Sequence, residues 1–197
     1  MISSIGDHFV VGLSGTSLTP DERRMLGQLR PAGIILFRHN LSTSDSWALE
    51  LHELIADTRA ACGREQFLVS IDHEGGRVRR LAEPATQFPA ACHFGERSEA
   101  VGRAIGRELF SLGINLNFAP VLDIRSNPEN NVIGDRAFAT DGQTVARLAM
   151  AFLHGMEAAG VVGCGKHFPG HGDTVADSHF ELPRLEVPRE MLEQREL

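Results

Sequence analysis

Short apolar runs alternate with stretches of helical period along this chain. The first run, Val10-Val11-Gly12-Leu13, reads as a short buried strand. Thr19-Pro20-Asp21-Glu22 then opens a helix. Thr19 can cap it, Pro20 suits the first helical position, and the two acids complement the positive helix end. Met25, Leu26 and Leu29 give this helix its apolar face. Gly33 to Phe37 is apolar almost throughout, as expected of a parallel strand buried on both faces. A second helix is expected from Thr43 or Ser44, with Trp47, Leu51, Leu54 and Ile55 inward and Gly63 as its stop. Phe67 to Ile71 forms a third strand ending at Asp72, and a long loop runs on to about Arg97. Ser98 can cap a third helix, which carries Val101, Ile105, Leu109 and Leu112 and stops at Gly113. Leu116 to Ala119 makes a fourth strand. A helix with Val145, Leu148, Ala149, Phe152 and Met156 follows, and Val161 to Cys164 is a fifth strand.

Strands that alternate with helices in this way predict an α/β fold with a parallel sheet. The long interruptions follow strands three, four and five, all at the same end. Ligands of barrels and open sheets bind at the carboxyl ends of the strands, so a site is expected there. Pro188 to Leu192 reads as the start of a further helix. A complete eightfold barrel takes about 250 residues, and this chain has 197. The expectation is therefore a (β/α)8 TIM barrel present only as its first five β/α units plus the start of a following helix. Residues 1–197 would form one partial barrel domain.

Composition narrows the partners. With 42% hydrophobic and 23% charged residues the chain is an ordinary globular sequence. The net charge is -7, and the longest basic cluster is Arg77, Arg79 and Arg80, so no nucleic-acid partner is expected. No stretch approaches the roughly 20 apolar residues of a membrane span. Met1 to Asp7 carries no basic segment ahead of an apolar run, so no signal peptide is read. Cys62, Cys92 and Cys164 are too few and too scattered for a disulfide framework, which points to the cytoplasm.

Three clusters can carry chemistry. The densest runs from Lys166 to His179 and holds three His, two Asp and one Lys, with Gly and Pro between them. Asp177 and His179 are two apart, so in an extended segment they share a face. A carboxylate beside an imidazole orients it and favours its protonated form, which is how a general acid/base is made. The spacing alone also arises by chance. The second cluster, Asp72-His73-Glu74-Gly75-Gly76-Arg77-Val78-Arg79-Arg80, sets an acceptor at a strand end before a tight turn; a solvated, salt-bridged turn is the plain alternative. The third is Gly134-Asp135-Arg136, where Arg136 either binds an oxygen-rich ligand or pairs with an acid.

Together, Asp72-x-Glu-Gly-Gly-Arg-Val-x-Arg80, Ile133-Gly134-x-Arg136-x-Phe138, and Lys166-His-Phe-Pro-Gly-His-Gly with Asp177-Ser-His179 resemble the family 3 glycoside hydrolases. Within that family they resemble the β-N-acetylhexosaminidases that release N-acetylglucosamine from peptidoglycan fragments. The resemblance implies a (β/α)8 barrel, retaining two-step hydrolysis and no cofactor or metal. It implies His179 as acid/base, Asp177 as its partner, and Asp72, Arg80, Arg136, Lys166 and His167 as the residues that hold the terminal sugar. His171 and Asp173 would shape the loop. A retaining mechanism also needs a nucleophile. The family takes it from an Asp at the end of the seventh strand, beyond the last residue here, so none is nominated. The Gly170 and Gly172 backbone is expected to give the Asp177–His179 loop freedom to move.

Two other classes compete. A metallohydrolase would draw ligands from His167, His171, Asp173, Asp177 and His179, although their spacing is not that of a helical H-E-x-x-H pair. A sugar-binding or inactive fragment, or another β-glycosidase specificity of the same family, fits a chain that lacks the nucleophile.

Overall fold

A computed structural model describes residues 5–174 and 182–196 of the chain. Its centre is a five-stranded, wholly parallel sheet in the order β1-β2-β3-β4-β5. The strands are β1 (Val10–Gly12), β2 (Gly33–Leu36), β3 (Leu68–Ile71), β4 (Leu116–Asn117) and β5 (Val162–Gly163). Each is hydrogen-bonded to the next in sequence. The helices between them are α1 (Pro20–Leu29), α2 (Trp47–Cys62), α3 (Ser98–Ser111) and α4 (Gly142–Ala158); α5 (Arg189–Arg195) comes last. Five successive β/α units in one parallel sheet are the arrangement expected of the first part of a (β/α)8 barrel.

The start of α1 follows its local chemistry. Thr19 Oγ1 accepts from the Glu22 amide at 3.2 Å, and Glu22 Oε2 accepts from the Thr19 amide at 2.8 Å, closing a capping box. Burial pushes the Glu22 carboxyl up, but these bonds and the Ser14 amide outweigh it and hold the group at about 2.

Four local expectations shift. α2 begins at Trp47, not at Thr43 or Ser44. The Ser44 and Ser46 amides donate to the Ser42 and Ser44 hydroxyls, a local alternative to helical bonding that holds this stretch as a turn. Ser98 is not the cap of α3 but its first residue, and its hydroxyl donates backward to the Gly95 carbonyl at 2.7 Å. β1 is not fully buried: Val10 is 38% exposed, and among the described residues β1 pairs only with β2. β4 ends at Asn117, shorter than expected: the Ala119 amide turns back to the Asn117 carbonyl at 2.8 Å, and Pro120 has no amide to continue the ladder.

α3 and α4 pack at very close range. A Cβ on Gly102 would lie 2.0 Å from the Phe152 carbonyl oxygen, and one on Gly155 would lie 2.1 Å from that of Glu99. Phe152 itself stacks on Phe94 in the core. Helix propensity alone predicts that Gly155→Ala stabilises the protein by about 1 kcal/mol. Packing predicts the opposite sign. The expected outcome is a loss of about 1–3 kcal/mol, the usual cost of overpacking, read from denaturant unfolding.

Candidate active site

The site forms at the carboxyl ends of the strands, where three separate segments converge. Asp72 is the first residue past β3. The chain past β4 continues alongside that past β5: Lys166 N donates to the Pro120 carbonyl, and Val121 pairs with Lys166 in parallel. This brings Lys166 and His167 beside Asp123, and the Lys166–His167 and Phe168–Pro169 peptides are cis. Arg136 ends a 3₁₀ turn, Gly134–Arg136, in the long loop after β4.

The side chains form one continuous charged network. Lys166 Nζ lies 2.8 Å from Asp72 Oδ1 and 2.6 Å from Glu74 Oε1. Arg136 grips Glu74 with two bonds, Nε to Oε2 at 2.9 Å and Nη2 to Oε1 at 2.8 Å, the fork geometry that makes arginine–carboxylate pairs strong. Burial pulls the Arg136 guanidinium down, but the Glu74 bonds and the charges of Glu74, Asp123 and Asp72 more than offset it, and the net shift is upward. Arg80 Nη2 approaches Asp72 Oδ2 at 3.4 Å and its guanidinium sits 5.9 Å from the centre of the Phe37 ring.

His167 continues the network. Its Nδ1 is 2.6 Å from Asp123 Oδ2, and its Nε2 is 3.4 Å from Arg136 Nη2. Asp123 is fully buried, and its Oδ1 accepts from the His171 amide at 2.6 Å. A buried carboxylate on Nδ1 selects the tautomer with a proton there, and Nε2 then faces the Arg136 guanidinium as an acceptor. Further along, Asn130 Nδ2 donates to the His171 carbonyl at 2.7 Å, and Asp173 accepts from Ser126 Oγ and Arg195 Nη2. Arg195 thereby ties α5 to the loop.

All five residues nominated as sugar ligands are therefore neighbours. Of the two readings open for Arg136, pairing with an acid is realised, through Glu74. The nominated acid/base pair, Asp177 and His179, lies outside the described residues. The freedom expected of the Asp177–His179 loop likewise falls outside the described residues, and Gly170 and Gly172 themselves meet close neighbours. A Cβ on Gly172 would sit 1.7 Å from the Ile124 carbonyl oxygen, and Gly170 adopts φ +137° against the Glu196 side chain, so both answer to close packing. Two buried acids were missed. Glu74 stands in the second motif, where an acid ahead of two glycines has the composition of a turn. Asp123 had one signal, an acid set among Val121, Leu122 and Ile124. Among the described residues no group of three or more His, Cys, Asp or Glu side chains is arranged to hold a metal ion.

Residues 8–197 match the glycosyl hydrolase family 3 N-terminal domain, and the chain belongs to that family. Among curated relatives, the beta-hexosaminidase of Thioalkalivibrio sulfidiphilus is 43% identical over 185 residues, 88% of this chain and 52% of that protein. The beta-hexosaminidase of Idiomarina loihiensis is 36% identical over 95% of this chain and 58% of its own length. The chain thus spans about half the length of these curated relatives. Among solved structures, a family 3 β-N-acetylglucosaminidase from Paenibacillus sp. superposes with a TM-score of 0.89 at 38% identity, covering 98% of this chain and 38% of that one. Native NagZ from Neisseria gonorrhoeae superposes with a TM-score of 0.86 at 35% identity, covering 96% and 57%.

His73 sits between the two site acids and points elsewhere. It is fully buried against the edge of Phe88, and among the described residues neither ring nitrogen has a hydrogen-bond partner. Desolvation, helped by Arg79 and Arg80, pushes the imidazole down from 6.5 to about 4. Above pH 6.5 the ring is neutral in both folded and unfolded chains and contributes no pH dependence. As the pH falls from 6.5 to about 4 only the unfolded chain takes up the proton, so stability is lost across that window and the loss levels off below it. The shift corresponds to about 3 kcal/mol in total. His73→Gln should flatten the fall in unfolding free energy between pH 7 and 4.5; an unchanged slope would remove His73 as its source.

Proposed function

We propose that the full-length protein carrying this chain is a β-N-acetylhexosaminidase. In this reading it removes terminal, non-reducing β-linked N-acetylglucosamine from peptidoglycan fragments, in the cytoplasm, by retaining hydrolysis. Residues 1–197 form part of its single barrel domain. The observation that carries the reading is the convergence of Asp72, Arg80, Arg136, Lys166 and His167 in one partly buried network at the carboxyl ends of the strands. The family assignment, the names of the relatives and a Neisseria gonorrhoeae NagZ structure in complex with N-trifluoroacetyl-D-glucosamine support the sugar class.

Each residue has a task. Asp72 accepts from sugar hydroxyls through Oδ2, the oxygen that Arg80 approaches only at 3.4 Å. Arg80, Arg136 and Lys166 donate to sugar oxygens with the protons their acid partners leave free. His167, fixed by Asp123, offers its Nε2 edge. His179, assisted by Asp177, protonates the leaving-group oxygen as the glycosidic bond breaks. It then takes a proton from the water that releases the sugar. The nucleophile is an Asp contributed beyond residue 197.

Two measurements on the full-length protein test this. Asp72→Ala and Arg136→Ala each remove charged hydrogen bonds of roughly 1.5–3 kcal/mol. Each should lower kcat/KM about ten- to a hundredfold, and wild-type kinetics in either variant would remove that residue from the site. His179→Ala should slow substrates with poor leaving groups in both steps. With an activated aryl glycoside the first step needs little acid, so a burst of aglycone should appear, partly rescued by azide. Equal losses on activated and unactivated substrates, with no rescue, would exclude His179 as the acid/base. A full-length protein that binds the sugar without cleaving it would favour a binding module.

A further inference from the structure

Glu74 has no assigned task, yet it is the most heavily used carboxylate of the cluster. Its side chain is 4% exposed. Oε1 receives Lys166 Nζ at 2.6 Å and Arg136 Nη2 at 2.8 Å; Oε2 receives Arg136 Nε at 2.9 Å. Asp72, two residues earlier, differs. Its Oδ1 receives Lys166 Nζ at 2.8 Å, while Oδ2 has only the 3.4 Å approach of Arg80. Glu74 is the more buried carboxylate and contacts two cations through its two oxygens, whereas Asp72 keeps one oxygen with only a distant partner.

We propose that Glu74 is the positioning residue of the sugar site. It holds Arg136 and Lys166, delivered by the loops after β4 and β5, in the geometry that meets the sugar, and touches no substrate itself. This rests on the functional reading above. Two cations share the carboxylate, so its removal does more than loosen them. Arg136 and Lys166 lose the charge that screens their mutual repulsion, and both turn toward Asp72. Asp72 then spends on them the acceptor it would give a sugar hydroxyl. The defect is therefore one of ligand binding, spread over three side chains, with the reacting groups untouched.

The test is a double-mutant cycle in the full-length protein on an activated aryl β-N-acetylglucosaminide, with N-acetylglucosamine binding measured by calorimetry. Glu74→Gln keeps the volume and removes the charge. It should raise KM about tenfold or more with kcat nearly unchanged, the pattern of lost uniform binding, and should weaken N-acetylglucosamine binding by a similar factor. Glu74→Gln should add little to Arg136→Gln, because each disables the same unit. Glu74→Asp keeps the charge but cannot span both cations. It should show a smaller shift of the same kind, and it carries the test where Glu74→Gln does not fold. Multiplicative losses in the cycle, or wild-type KM in both Glu74 variants, would overturn the positioning role. So would a collapse of kcat at unchanged KM with azide rescue, which would make Glu74 a catalytic residue. A wild type that neither cleaves nor binds the sugar overturns the functional reading and this inference with it. A competent wild type indifferent to Glu74 overturns only the positioning role.

Discussion

The two-cation grip on Glu74 is the constraint from which the rest of the site follows. Glu74 belongs to the segment after β3, Arg136 to the loop after β4 and Lys166 to the segment after β5. No neighbouring pair of these comes from one element, so the network forms only when three β/α units are in register. Breaking a buried pair by removing one partner costs about 3–5 kcal/mol, while the intact pair contributes little net stability over apolar packing. Such a network is therefore poor evidence for a stabilising device. It is better explained by placement: desolvated charges are held where a ligand can meet them.

The backbone beneath the network is correspondingly over-determined. Asn117, at the end of β4, accepts from the His73 amide and donates to the His73 carbonyl, both at 2.9 Å, which clamps the segment from Asp72 to Glu74. Asp123 performs the same service on the other side, gripping the His167 ring and the His171 amide with its two oxygens. Gly172 then lets the chain pass against the Ile124 backbone, and Asp173 anchors to Ser126 and Arg195. Side chains whose backbones are tied in this way lose little further freedom on meeting a ligand, which lowers the entropic cost of binding.

The fold was legible because its signals are local. Apolar runs at Ile34–Leu36 and Val69–Ile71 mark strands, and Thr19 to Glu22 mark a helix start, from residues within a few positions of one another. The nominated residues stood out because Lys166 and His167 fall in a dense polar cluster, Asp72 stands at a strand end, and the three motifs together resemble one family. Glu74 and Asp123 did not, because their partners lie 62 and 44 residues away in sequence, at Arg136 and His167. An acid two residues after another acid, ahead of two glycines, has the composition of a solvated turn. Only strand order, which a single sequence does not print, buries it. The first strand departs from its expected burial for a related reason: Val10 is 38% exposed because, among the described residues, β1 pairs only with β2.

The charge balance of the cluster also bears on what it can hold. Arg80, Arg136 and Lys166 face Asp72, Glu74 and Asp123 in one contiguous set. A phosphate or sulfate is held by cations and backbone amides, and the ligand itself brings the negative charge that pairs with them. Here the protein supplies its own. An anion entering this network would have to displace Asp72 or Glu74 from Lys166 and Arg136, and the displaced carboxylate would be left desolvated and repelled. A neutral polyhydroxylated ligand asks for the reverse: donors and acceptors in alternation, with their charges already compensated. Asp72 Oδ2 as an open acceptor, and the unpaired protons of Lys166 and Arg136 as donors, meet that demand within one cluster. A hydroxyl is both donor and acceptor, so each sugar oxygen can engage both kinds of partner at once. The same internal neutralisation that disfavours an anion is what the proposed neutral sugar ligand would require.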